Sequence, residues 1–128
     1  MKKAIFAAAL LCSTAAYAAD TVTVMPLMGQ ELAGIAGKEA AMLTVDLSPG
    51  AESPAHRHNA HVFVYVLEGS IIMQVKGKPP VTLQPGGTFY ESPDDVHTVG
   101  SNASKTAPAK FLAVFVKDKG TGFVFPEK

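Results

Sequence analysis

Residues 50–61 read Gly50-Ala51-Glu52-Ser53-Pro54-Ala55-His56-Arg57-His58-Asn59-Ala60-His61, and three of the chain's 4 histidines stand in this stretch. The fourth closes a second stretch, Gly86-Gly87-Thr88-Phe89-Tyr90-Glu91-Ser92-Pro93-Asp94-Asp95-Val96-His97. Neutral imidazole is a common ligand for mid-series divalent metals, and His-x-His on an extended segment turns both rings to one face. A third histidine from a distant strand can then close a facial site. Both stretches therefore read as metal-ligand clusters.

The surrounding sequence supplies a β scaffold. Residues 41–47 place Leu43, Val45 and Leu47 in alternation with Thr44 and Asp46, a period of two with one buried face. Residues 62–67 form a β-branched and aromatic run that ends at Glu68-Gly69 before residues 70–75, which is a hairpin signal. Lys76-Gly77-Lys78 and Gln84-Pro85-Gly86-Gly87 punctuate the following segments, 80–83 and 88–91. Further strands are expected at 22–25, 96–99, 111–117 and 123–125, with a loop over 29–38 and an exposed polar connection over 101–109. So many short strands without an amphipathic helix predict an all-β barrel or sandwich.

The two histidine stretches, taken with this scaffold, resemble the cupin superfamily. The first cupin motif, G-x5-H-x-H-x3-E-x6-G, is matched in spacing by Gly50, His56, His58 and Gly69, with Val62 where the motif has Glu. The second, G-x5-P-x-G-x2-H-x3-N, is matched by Gly86 and His97, while Ser92, Asp94 and Ser101 replace its Pro, Gly and Asn. Pro93 and Asn102 each stand one place late, and Tyr65-Val66-Leu67-Glu68-Gly69 is the usual run into the first-motif glycine. The resemblance covers residues 48–116. It implies a double-stranded β-helix, or jelly-roll, barrel as a single domain over residues 19–128. It also implies His56, His58 and His97 as ligands of one divalent transition metal: Fe, Mn, Ni, Cu or Zn.

The resemblance leaves the fourth ligand open. Glu91 precedes Ser92 at a strand end where cupins usually turn an apolar side chain inward. A carboxylate there is costly unless a cation or metal pairs it. Glu91 is thus a candidate ligand or catalytic base, or else a rim carboxylate paired with Arg57 or a lysine. His61 can replace the motif Glu only if residues 59–62 are irregular, because strict alternation from Val62 points it outward. A plain three-histidine site is the third option.

Phe63, Tyr65, Phe89 and Tyr90 read as core or dimer-face aromatics, and Asp94-Asp95 as a solvated turn. Ser53, Ser70 and Ser92 have no Ser-His-Asp arrangement. Val64, Val66, Met73 and Phe115 are the expected lining of a small apolar pocket.

Composition bounds the remainder. Lys2-Lys3, the uncharged residues 4–16 and Ala16-Tyr17-Ala18 read as a signal peptide over residues 1–18, which places the mature protein in the periplasm or outside the cell. The single Cys12 lies in that segment, so the mature chain carries no disulfide. Cleavage removes two of 11 basic residues and none of 11 acidic ones, a formal charge of 9 − 11 = −2. No basic run or stacking platform points to nucleic acid, and no membrane contact is expected after cleavage. The expected partners are a small-molecule ligand or substrate and a second copy of the chain in a homodimer, with residues 22–25 and 123–125 as candidate cover. Two functions compete: a metal-dependent enzyme of dioxygenase, isomerase or lyase type, and a non-catalytic binding, sensor or structural module.

Overall fold

The computed structural model describes residues 21–128, so the expected leader 1–18 and Cys12 lie outside the described residues. In chain order the strands are β1 (Val22–Glu31), β2 (Lys38–Leu47), β3 (Glu52–Ser53), β4 (His56–Arg57), β5 (His61–Glu68) and β6 (Ile71–Val75). They continue with β7 (Val81–Leu83), β8 (Thr88–Glu91), β9 (His97–Asn102), β10 (Ala109–Asp118) and β11 (Phe125–Pro126). One sheet runs β1-β2-β10-β5-β8 and the other β11-β4-β9-β6-β7, with β3 also on β9. All pairings are antiparallel. The chain passes back and forth between the sheets, which makes a double-stranded β-helix. No helix among the described residues is long and apolar enough to cross a membrane.

Alternation builds the core. Val62, Val64 and Val66 of β5 turn inward while His61, Phe63 and Tyr65 face out. Ile71 and Met73 of β6 meet them from the opposite sheet, together with Leu43, Val45 and Leu47 of β2 and Ala113 and Phe115 of β10. Gly69 shows why a first-motif glycine ends β5. Its φ is +70°, and a Cβ there would lie 2.4 Å from the Pro108 carbonyl oxygen, so both conformation and space require glycine.

Two sequence expectations are corrected. The loop over 29–38 shrinks to a turn, because β1 runs to Glu31 and β2 starts at Lys38. β1 is an edge strand exposed along its whole length, so alternation leaves no trace in its sequence, and Pro26 is tolerated beside a bulge at Leu27. The exposed connection over 101–109 is interrupted at both ends: Ser101 and Asn102 finish β9 and are buried, and Ala109 opens β10. Of the two places expected for the aromatics, Phe63, Tyr65 and Tyr90 do not take the core. They stand half-exposed on the outer face, whereas Phe89 packs against the core.

Asn102 holds this end of the barrel together. Its amide donates to the carbonyls of Leu47 (3.2 Å), Ser48 (3.1 Å) and Ala107 (2.8 Å) and accepts from the Ser104 N–H at 2.9 Å. In the β6–β9 pairing Gln74 faces Val99 while Val75 faces His97, so Thr98 is an extra, bulged residue. That single insertion accounts for Asn102 lying one place beyond the motif position.

Candidate metal centre

One sheet and the crossing that leaves it bring His56, His58 and His97 together. His56 of β4 is the direct cross-strand partner of His97 of β9. His58 lies on the chain crossing from β4 to β5, which Asn59 turns with a left-handed φ of 51°. All three side chains are buried, and one ring nitrogen from each lies within 4.8 Å of the others. Glu91 enters from the facing sheet with its oxygens 3.3 Å from His58 Nε2 and 3.3 Å from His97 Nδ1.

The position of Glu91 follows from register. Val62, at the place of the motif Glu, pairs directly across β5 and β8 with Glu91, and both side chains are buried. Side chains directly opposite on an antiparallel pair share a face and begin about 5 Å apart. The carboxylate therefore stands one strand over on the same wall. It is not a rim charge: only 1% of Glu91 is exposed, and Arg57 pairs instead with Glu127. His61 takes no part in the cluster. It stands on the outer face, where its Nδ1 and the Tyr90 hydroxyl are 2.7 Å apart.

Hydrogen bonds fix two of the imidazoles. His56 Nδ1 donates to the Pro54 carbonyl at 2.7 Å, and His58 Nδ1 donates to the Phe123 carbonyl at 2.6 Å. A carbonyl only accepts, so in each neutral ring the hydrogen is on Nδ1 and the lone pair on Nε2. The two Nε2 atoms face one another across 3.2 Å. Opposed lone pairs at that distance call for a proton or a cation between them. Glu91 Oε2 and both His97 ring nitrogens are buried without hydrogen-bond partners, which is costly in a site without an ion. Three imidazoles and one carboxylate suit a divalent transition metal, so the donor set fits the group that the resemblance implies.

Electrostatics agree. Burial pushes His58 down to about 4, with the neighbouring His56 adding to the shift. Burial, then His56 and His58, push His97 down to about 4. Burial and then the Asp95 charge push Glu91 up to about 7. In metal-free protein between pH 6.5 and 4.5, unfolding takes up a proton at His58 and another at His97 and releases one from Glu91. The net uptake of one proton lowers stability as pH falls, by up to about 1.4 kcal/mol per unit. Glu91→Gln removes the opposing release, so its stability should fall up to about twice as steeply over this window. Urea midpoints of both chelator-treated proteins at pH 6.5 and 5 test this; equal slopes would refute it.

A cavity of about 330 Å³ adjoins the cluster. Leu43, Val45, Val64, Met73 and Phe115 line it, together with the histidines and Glu91. Val66, an expected lining residue, is packed in the core instead. Val22, Val24 and Val124 are both lining and exposed, so the mouth lies between β1 and the C-terminal segment. Gly100 also lines the cavity, and a Cβ there would come 2.9 Å from His97 Cε1, leaving room for the ring only beside a glycine. Nothing in the sequence pattern marked Gly100, and the Phe123 carbonyl is a backbone group that no residue type announces.

The cupin domain family matches residues 43–115, more than half of the chain. The chain is a cupin. No curated protein sequence matches it. Solved structures share the cupin fold at low identity. An uncharacterized conserved protein with a double-stranded β-helix domain from Klebsiella pneumoniae is 18% identical with a TM-score of 0.66, covering 88% of this chain and 90% of that one. The DMSP lyase DddQ from Ruegeria pomeroyi is 23% identical with a TM-score of 0.61, over 68% of this cupin and 42% of that chain. A recombinant oxalate oxidase in complex with glycolate is 21% identical with a TM-score of 0.65, over 85% and 56%. This cupin thus spans less than two-thirds of the length of the lyase and of the oxidase.

Proposed function

We propose that this cupin is an exported protein that holds one divalent transition metal between His56, His58, His97 and Glu91 and binds a small molecule beside it. The observation that supports this reading is the convergence of three buried imidazoles and one buried, unpartnered carboxylate on an apolar cavity. When bound, such a metal supplies Lewis-acid polarisation of a ligand oxygen. The residues supply the rest. The imidazoles present fixed nitrogens, Glu91 balances charge or accepts a ligand proton, and the apolar walls exclude water and take up a hydrocarbon body. That a lyase and an oxidase for small molecules share the fold supports a small-molecule ligand, and Glu91 as a base would make the protein an enzyme of dioxygenase, isomerase or lyase type. With Glu91 as a ligand the metal can still serve an enzyme, and the second reading is a non-catalytic binding, sensor or structural module.

One preparation tests the core of this proposal. Protein from the exported fraction, purified without added metal, should begin at Ala19 and carry one equivalent of Fe, Mn, Ni, Cu or Zn. A metal-free chain that also refuses added metal would refute the metal reading, and a Met1 start would refute export. The same sample should scatter light as a homodimer. Residues 22–25 and 123–125 are the proposed cover, and Val124 stands exposed in the second of these segments. Exposed Val24, Met25, Leu27 and Met28 of the edge strand β1 remain available.

The lining also sets the charge of the ligand. No lysine or arginine lines the cavity among the described residues, so a charge at the far end of a ligand would be buried unpaired. That costs several kcal/mol, or more than about 100-fold in affinity. Metal-loaded protein should therefore bind benzohydroxamate, with one chelating head and an apolar body, at least about 100-fold more tightly than succinate. Equal affinities in calorimetry would contradict this.

A further inference from the structure

Lys117 is 3% exposed and stands at an inward position of β10, yet it neither lines the cavity nor touches the histidines. A buried ammonium is tolerated only where its donors are used. Here they are used. Lys117 pairs with Glu39, its direct partner across β10 and β2, and donates to the Thr121 carbonyl at 2.6 Å. Its Nζ lies 5.0 Å from the centre of the Phe123 ring.

We propose that Lys117 is a positioning residue for the histidine cluster: by pinning Thr121 and the Phe123 ring it fixes the carbonyl that orients His58. The inference rests on reading the cluster as a metal centre. Thr121 and Phe123 flank Gly122, whose backbone sterics alone leave the path open. Strand pairing resumes only at Phe125 opposite Arg57. Thr121 also donates its hydroxyl to the Asp118 carbonyl at 2.8 Å, and the lysine adds the anchor that joins Thr121 and the Phe123 ring to the barrel wall. The Phe123 ring packs edge-on against Phe115 at 5.1 Å, and Phe115 packs edge-on against the His58 ring at 5.2 Å, so the same anchor sets both the height and the rotation of that imidazole. His56 is independent of this device, because its Nδ1 is held by Pro54 two residues away on its own segment.

The test compares full-length wild type with Lys117→Met. In zinc-loaded wild type, long-range ¹H–¹⁵N NMR should show His56 and His58 each as the single Nδ1–H tautomer. In Lys117→Met, His58 should become a tautomer mixture while His56 stays unchanged. Zinc affinity should fall about tenfold, the lower end of what loss of an orienting partner costs a metal site. A variant that only melts earlier, with His58 tautomer and zinc affinity unaltered, overturns the proposal and leaves Lys117 a packing residue. Should Lys117→Met not fold, Glu39→Gln keeps the lysine but loosens its hold and must move the same two readouts in the same direction by smaller amounts. Wild type that takes up no zinc overturns the metal reading itself, a failure distinct from a wild type and variant that bind zinc equally.

Discussion

His97→Ala should lower divalent-metal affinity by more than about 100-fold, beyond the 10–100-fold range typical of losing a group that merely supports a ligand. A set of three nitrogens and one carboxylate has no spare donor, and His97 stands opposite His56 where no neighbouring side chain can replace it. Removal of the ring also leaves Glu91 Oε1 without its contact at 3.3 Å. His61→Ala is the internal control, since that ring faces solvent with Tyr90, and its affinity should match wild type. Glu91→Gln then divides the roles. Lost metal marks the carboxylate as a ligand, while retained metal with lost turnover marks it as the base. Competition titration with a chromophoric chelator reads all three variants, and wild-type affinity in His97→Ala would refute the centre as drawn.

The second large effect concerns stability. Asn102→Ala should destabilise the fold by about 3 kcal/mol, because it removes the amide's donors from the Leu47 and Ala107 carbonyls, and an unsatisfied buried group costs about 1–3 kcal/mol. The amide reaches carbonyls on two segments, at Leu47-Ser48 and at Ala107, so no local rearrangement of either one replaces it. For a domain of this size the loss corresponds to a Tm lower by on the order of 10 °C. Asn102→Asp, which keeps the shape but not the donors, should do no better. Urea denaturation within about 1 kcal/mol of wild type for either variant would show that this network is dispensable.

These residues also show what the sequence conveys and what it withholds. His56 and His58 are legible because period two puts both on one face, and Glu91 stands out as a charge on an apolar strand. The pairing of Glu91 with Val62 is not legible, since it depends on the register of β8 against β5 and no local pattern sets that. The role of Asn102 was hidden by the bulge at Thr98, which shifts it off the motif and into a stretch whose composition looks like surface. The full length of β1 is not legible either, because an exposed edge strand needs no alternation. The supports of the site, the carbonyls of Pro54 and Phe123, are backbone atoms, and any residue type could have supplied them. Sequence therefore marks the donors and is silent about what aims them.

The facing pair Val62 and Glu91 has a historical consequence. Two positions 29 residues apart along the chain are neighbours on one wall, so an acid can migrate between them while the three imidazoles stay in place. A lineage that gains the acid on β8 before losing the one on β5 passes through a stage with two adjacent carboxylates, which a bound cation renders tolerable. A lineage that loses first passes through a bare three-nitrogen stage. Either way, an acid missing from its customary place in a linear motif is not by itself a sign of decay, and descent of such a site is better traced by sheet neighbours than by alignment columns.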